Sequence, residues 1–143
     1  MGADFLALIP TSDAHVSYSH EYDIKTRLLG LVDEELSKKW EGISLTNIER
    51  ANNIADSVIE ILGEMMGGIT EDDESHESKV LRGVFYFVNH SDCDGTFNSD
   101  ECGYIAYALE ELDKVECGED GAIESLIKVF NDAYNGDGEV QIW

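Results

Sequence analysis

Twelve consecutive residues, His90-Ser91-Asp92-Cys93-Asp94-Gly95-Thr96-Phe97-Asn98-Ser99-Asp100-Glu101, gather most of the ligand-type chemistry of this chain. A Ca²⁺ loop of the helix–loop–helix kind takes ligands from positions 1, 3, 5, 7, 9 and 12, with glycine at 6 for the sharp turn and a bidentate Glu at 12. Counted from His90, the stretch supplies Asp92 at 3, Asp94 at 5, Gly95 at 6, the Thr96 carbonyl at 7, Asn98 at 9 and Glu101 at 12. Phe97 stands at position 8, which is apolar in such loops. Position 1, normally Asp, is His90, and a neutral imidazole is a poor ligand for a hard cation. The expected metal ligands are therefore Asp92, Asp94, Asn98 and Glu101 with His90 as an altered member, holding Ca²⁺ or another divalent cation.

A plainer reading covers part of the pattern. The Asn98–Glu101 spacing suits a helix capping box, and Asp92, Asp94 and Gly95 are ordinary turn residues. Turn chemistry alone does not require all of these residues in register. Zinc is a minor alternative: His90, Cys93 and Cys102 offer three donors, but no fourth is evident. Ion loops of this type come in pairs, so the tail Asn135-Gly136-Asp137-Gly138-Glu139-Val140 takes the same test. With Gly138 at position 6, Val140 falls at 8, but position 1 is Ala133 and position 12 lies past Trp143. The tail reads as a Gly-rich turn before a strand.

A second group of reactive side chains lies near the start. His15, Ser17 and Tyr18 fall in a Ser- and His-rich stretch, 11–22, expected to be a polar connection after a first strand. Connections carry ligand sites disproportionately, so His15, Ser17, Tyr18 and His90 form a candidate small-ligand set. The same residues also suit capping of the next helix. A general base needs a pKa near 7, which imidazole supplies. His15 or His90, oriented by Asp92, is thus the candidate for catalysis. No nucleophile elbow or phosphate loop accompanies them, so binding is favoured over an enzyme.

The elements that must position these groups follow from periodicity. Residues 4–9 form an apolar run stopped by Pro10 and read as a strand. Ile24, Leu28, Leu31, Val32, Leu36 and Trp40 predict one amphipathic helix from Asp23 to Gly42. Thr46 and Glu49 predict a capping box opening a second helix, which runs to Gly67-Gly68. Residues 70–78 are a charged linker. Val80–Val88 is apolar on nearly every side and reads as the most buried helix. A helix over 98–114 and a last one over 120–134 follow, then alternating Val140 and Ile142 predict a terminal strand. The fold class is α+β, mainly α: about five helices in a single domain, 1–143, with short N- and C-terminal strands able to pair.

Composition narrows the partners. The chain has 143 residues, 43% of them hydrophobic, which supports a real core. It carries 31 acidic against 9 basic residues, a formal charge of −22. Such a surface repels nucleic acid, whose phosphates need Lys and Arg, and attracts cations or basic partners. Besides simple solubility, two roles follow: divalent-cation binding, and an acidic inhibitor that mimics DNA and blocks a basic or nucleic-acid-binding host protein. No apolar run is long enough for a membrane span. Asp4 stands where a signal peptide would be basic, and three cysteines favour free thiols over a disulfide framework. The expected location is the cytoplasm.

The chain resembles a group of bacterial and phage hypothetical proteins. The resemblance rests on Asn89-His90-Ser91-Asp92-Cys93-Asp94-Gly95, continued by Glu101-Cys102, and more weakly on Ala14-His15-Val16-Ser17-Tyr18-Ser19. It covers most of the chain and brings no activity with it. It implies that His90 belongs to the motif and is not a decayed Asp. That favours a site using imidazole, for a small ligand or a transition metal, over Ca²⁺, and it implies a phage or mobile-element origin.

Overall fold

The computed structural model describes residues 2–8, 11–45, 47–89 and 95–142. The chain begins with a hairpin of two strands, β1 (Gly2–Leu8) and β2 (Thr11–Ser17), paired antiparallel from Gly2↔Ser17 to Leu8↔Thr11. Here the expected polar connection is corrected. Residues 11–17 are a strand because their types alternate: Ala14 and Val16 are buried, while Asp13, His15 and Ser17 point to solvent. That period of two fits a half-buried antiparallel strand, and the polar residues that suggested a loop are simply its wet face.

Helix α1 (Tyr18–Val32) follows at once and is separate from α2 (Glu34–Glu41). The single helix expected over 23–42 is broken at Asp33, an extended residue that closes α1 through its N–H to the Leu29 carbonyl and opens α2 by accepting from Glu35 N–H. Asp is a strong N-cap, so one residue ends one helix and starts the next while the apolar spacing continues across the break. A short 3-10 turn, Gly42–Leu45, leads to α3 (Ile48–Gly67). Its N-cap is Asn47, whose side chain accepts from Arg50 N–H, in place of the expected Thr46–Glu49 box; Thr46 lies outside the described residues.

Helices α4 (His76–Val88), α5 (Ser99–Val115) and α6 (Gly121–Asn135) form the central layer, and the strands β3 (Gly95–Phe97) and β4 (Val140–Ile142) flank it. Gly83 sets how closely α4 meets α5, because a Cβ there would collide with the Tyr104 carbonyl oxygen and the Ala108 methyl. Val80, Leu81, Val84, Phe87 and Val88 of α4 are buried, as its all-round apolar sequence predicts.

The four strands make one antiparallel sheet in the order β2-β1-β4-β3. The terminal strands pair as expected, Phe5 facing Ile142 and Ala7 facing Val140. Phe5, Ala7, Ala14, Val16, Phe97, Val140 and Ile142 all turn inward. Phe5, Phe87, Phe97 and Phe130 meet there, with Phe97 against Phe130 at 5.3 Å between ring centroids in an edge-on contact. Edge-on aromatic pairs add about 0.5–1.5 kcal/mol beyond area burial, so this cluster fixes sheet, α4 and α6 as one core. The architecture is α+β, mainly α; among the described residues it has six α-helices and four short strands, one helix more than the sequence predicts.

Candidate cation-binding site

The loop that opens the sequence argument joins α4 to β3 and α5. Its first five residues lie outside the described residues, so the placement of His90, Asp92 and Asp94 as ligands lies there too. The frame around them is described. Helix α4 closes at Asn89, whose N–H reaches the Phe85 carbonyl, and α5 opens at Asn98. Between them Gly95 has φ +146°, a backbone region that side chains with a Cβ avoid. An added Cβ would find ordinary room there, at 3.9 Å from Ile142 Cδ1, so the demand for glycine comes from the backbone.

Asn98 and Glu101 form the capping box: Glu101 N–H donates to Asn98 Oδ1 at 2.9 Å, and Asn98 N–H donates to Glu101 Oε1 at 2.9 Å. The plainer reading of this pair is therefore realised in the structure. It engages one Glu101 oxygen, Oε1, with the Asn98 N–H.

Strand β3 pairs with β4 as Gly95↔Ile142, Thr96↔Gln141 and Phe97↔Val140. Phe97 and Val140 are the residues at position 8 of the two loop frames counted in the sequence, and they face each other. The tail itself ends α6 with a helix cap: Gly138 N–H reaches the Ala133 carbonyl, Asp137 N–H reaches Tyr134, and Asp137 takes φ 52°. This 6→1 and 5→2 pattern is a Schellman motif. The tail is thus a turn before a strand, as its sequence predicts, and it also supplies the ladder partner for β3.

The His15 group lies elsewhere. His15 is exposed on β2, with Nδ1 2.6 Å from Asp4 Oδ1 across the hairpin. Ser17 is the N-cap of α1 and accepts from His20 N–H; Tyr18 is the first helical residue and is partly exposed. Strands β1 and β4 separate β2 from β3, roughly 14 Å at the usual strand spacing. His15 is therefore on the sheet edge opposite the loop's exit strand. A joint His15–His90 site cannot be drawn, since His90 lies outside the described residues.

Cys102, one of the zinc candidates, is buried in α5, and its Sγ–H points at the Phe97 carbonyl. Burial pushes its thiol up to about 12, which opposes the thiolate that zinc requires. Among the described residues no group of three or more His, Cys, Asp or Glu is arranged to hold a metal ion.

Two clusters escaped the sequence reading. In the first, Asp120 caps α6 and receives His20 Nε2–H at 2.7 Å and Arg27 at 2.6 Å, while Arg27 also reaches Glu116 and Asp23. Burial works against the Asp120 charge, but these hydrogen bonds outweigh it and hold the carboxyl at about 2. A hundred residues separate His20 from Asp120, and no local spacing signals such a pair. In the second, Tyr104 and Tyr107 of α5 face Arg82 and Lys79 of α4. The i, i+3 spacing of each pair is the one signal the sequence offers.

A scan against protein-family models finds none that matches the chain, and searches of curated proteins and of solved structures return no match either. No helix among the described residues is long and apolar enough to cross a membrane.

Proposed function

We propose that the protein is a small acidic binding protein whose helix–loop–helix segment 90–101 holds a divalent cation, with Ca²⁺ the leading ion. The observation that carries this reading is the frame of the loop. Two helices that pack on each other flank it, Gly95 takes a positive φ that favours glycine, and β3 is clamped to β4 at Phe97–Val140. Such a frame holds the exit half of the loop, Thr96 to Glu101, before an ion arrives, and preorganisation lowers the ordering cost of binding. Asp92, Asp94, Asn98 and Glu101 are the oxygen donors of this reading, and His90 tunes it toward borderline metals that accept imidazole. The His15, Ser17 and Tyr18 group is read as structural, since Ser17 caps a helix and His15 pairs with Asp4. Cytoplasmic location stays part of the proposal and rests on the sequence alone.

The test is calorimetric titration with Ca²⁺, Mg²⁺ and Zn²⁺ at constant ionic strength, so that general screening of the −22 charge is the same in every run. One-site binding of Ca²⁺ supports the reading. Preference for Zn²⁺ transfers the site to the imidazole-using alternative. No heat and no thermal shift with any of the three removes it.

A further inference from the structure

Helices α4, α5 and α6 enclose a cleft of about 620 Å³, whose lining includes Asp100 from the exit end of the 90–101 segment. Its floor is one face of α5: Asp100, Gly103, Tyr104, Tyr107 and Glu110, residues spaced to share a helical stripe. Lys79, Arg82 and Tyr86 of α4 form one wall, and Asn131 and Tyr134 of α6 form the other, with Glu71 and Glu74 at the rim. Four tyrosines and four carboxylates thus face two cations.

The cleft is built with some precision. Gly103 lacks the Cβ that would strike the Tyr134 ring at 2.6 Å, so the ring packs closely on α5 while the residue stays half exposed. Arg82 is buried and anchored by its donations to the Thr70 and Asp73 carbonyls at 2.8 and 2.9 Å, which set its guanidinium 5.2 Å from the Tyr104 ring centroid. Lys79 lies 5.3 Å from the centre of Tyr107. The chain therefore already uses these rings as platforms for its own cations, an attraction that arises because the ring face is negative. Tyr134 and Tyr86 complete the set. Burial raises the Tyr86 hydroxyl pKa, the carboxylates of Glu101 and Asp100 push the same way and Arg82 opposes them, so this hydroxyl stays neutral.

We propose that this cleft docks an extended, arginine-bearing segment of a basic partner protein. Tyrosine faces and carboxylates together match guanidinium, which stacks as a plane and donates a fork of hydrogen bonds. The ends of the floor, Asp100 and Glu110, are ten helical residues apart, about 15 Å at the helical rise, the reach of roughly four or five extended residues. Two arginines about that far apart would meet one terminal carboxylate each, with Tyr134 beside the chain between them. The net charge of −22 steers such a partner in. The proposal does not rest on the loop holding an ion.

Fluorescence anisotropy of a labelled peptide made only of arginine and glycine tests it on the intact chain, against a lysine peptide of equal charge. The arginine peptide should bind at low salt, release as salt rises, and bind more tightly than the lysine peptide. Asp100→Asn with Glu110→Gln should weaken it at least about tenfold, whereas Glu34→Gln with Glu35→Gln on α2, an equal loss of charge, should change it less than about twofold. Tyr134→Leu should weaken the arginine peptide several-fold and the lysine peptide less, with the thermal midpoint of each variant recorded to show that it is folded. Equal losses from the two carboxylate pairs, or no response to Tyr134→Leu, would overturn the cleft in favour of general charge attraction. So would absence of binding at low salt.

Discussion

Glu101 does two things that a single substitution separates. Its carboxylate accepts the Asn98 N–H in the cap of α5, and in the proposed site it is the bidentate ligand at position 12. Glutamine still accepts in a capping box but cannot hold a hard cation with two charged oxygens. Glu101→Gln should therefore leave the metal-free thermal midpoint within about 2 °C of the parent, whereas Asn98→Ala, which removes the acceptor for Glu101 N–H, should cost about 1 kcal/mol in urea titration. This pair was legible in sequence because its partners are three residues apart. Asp120 was not legible as a partner of His20, and it carries a pH prediction. Its folded value of about 2 lies below the usual unfolded value of about 3.9. Its contribution is thus fully present above about pH 4 and lost as pH falls through 2. Asp120→Asn should lower stability at pH 6 and shrink the loss between pH 4 and pH 2, read from urea midpoints; an unchanged acid limb would contradict the Asp120 assignment.

At the scale of elements, the amphipathic helices were readable from apolar spacing because burial of one stripe is what makes them form. Two things were not. The strand β2 hid behind its own solvent face, since Asp13, His15 and Ser17 read as loop residues until Ala14 and Val16 find β1. The break at Asp33 hid because the periodic pattern crosses it without a change of phase. The contact between α4 and α5 depends on a residue that periodicity treats as neutral. A Cβ on Gly83 would meet the Tyr104 backbone, which cannot rotate away as a side chain could. Gly83→Ala should destabilise by about 1–3 kcal/mol and widen the space between the helices that frame both the cation loop and the tyrosine cleft. Denaturant titration checks the stability, and a change of less than about 0.5 kcal/mol would mean that the helices are less tightly apposed than described.

Across the whole molecule, the sheet order β2-β1-β4-β3 joins both ends of the chain to the exit of the cation loop. An ion that fixed Thr96 to Glu101 would thus stabilise β3, and through Val140 and Ile142 the terminal strand and β1. The charge of −22 acts on the same body in the opposite sense, because like charges held close destabilise the compact state. Raising sodium chloride from low to moderate concentration should therefore raise the thermal midpoint of the metal-free chain; a flat or falling midpoint would show that self-repulsion is not a leading cost. The composition made this visible without any structure, whereas the register that sets Phe97 against Val140 needed the folded sheet. The most direct measurement of the cation account is a Ca²⁺ thermal-shift titration of the parent chain and Glu101→Gln at fixed ionic strength. At about a hundred times the dissociation constant, binding adds about 2.7 kcal/mol, a shift of roughly 5–10 °C in the parent and almost none in the variant. Equal shifts in both, or no shift in the parent, would contradict a Glu101-anchored cation site.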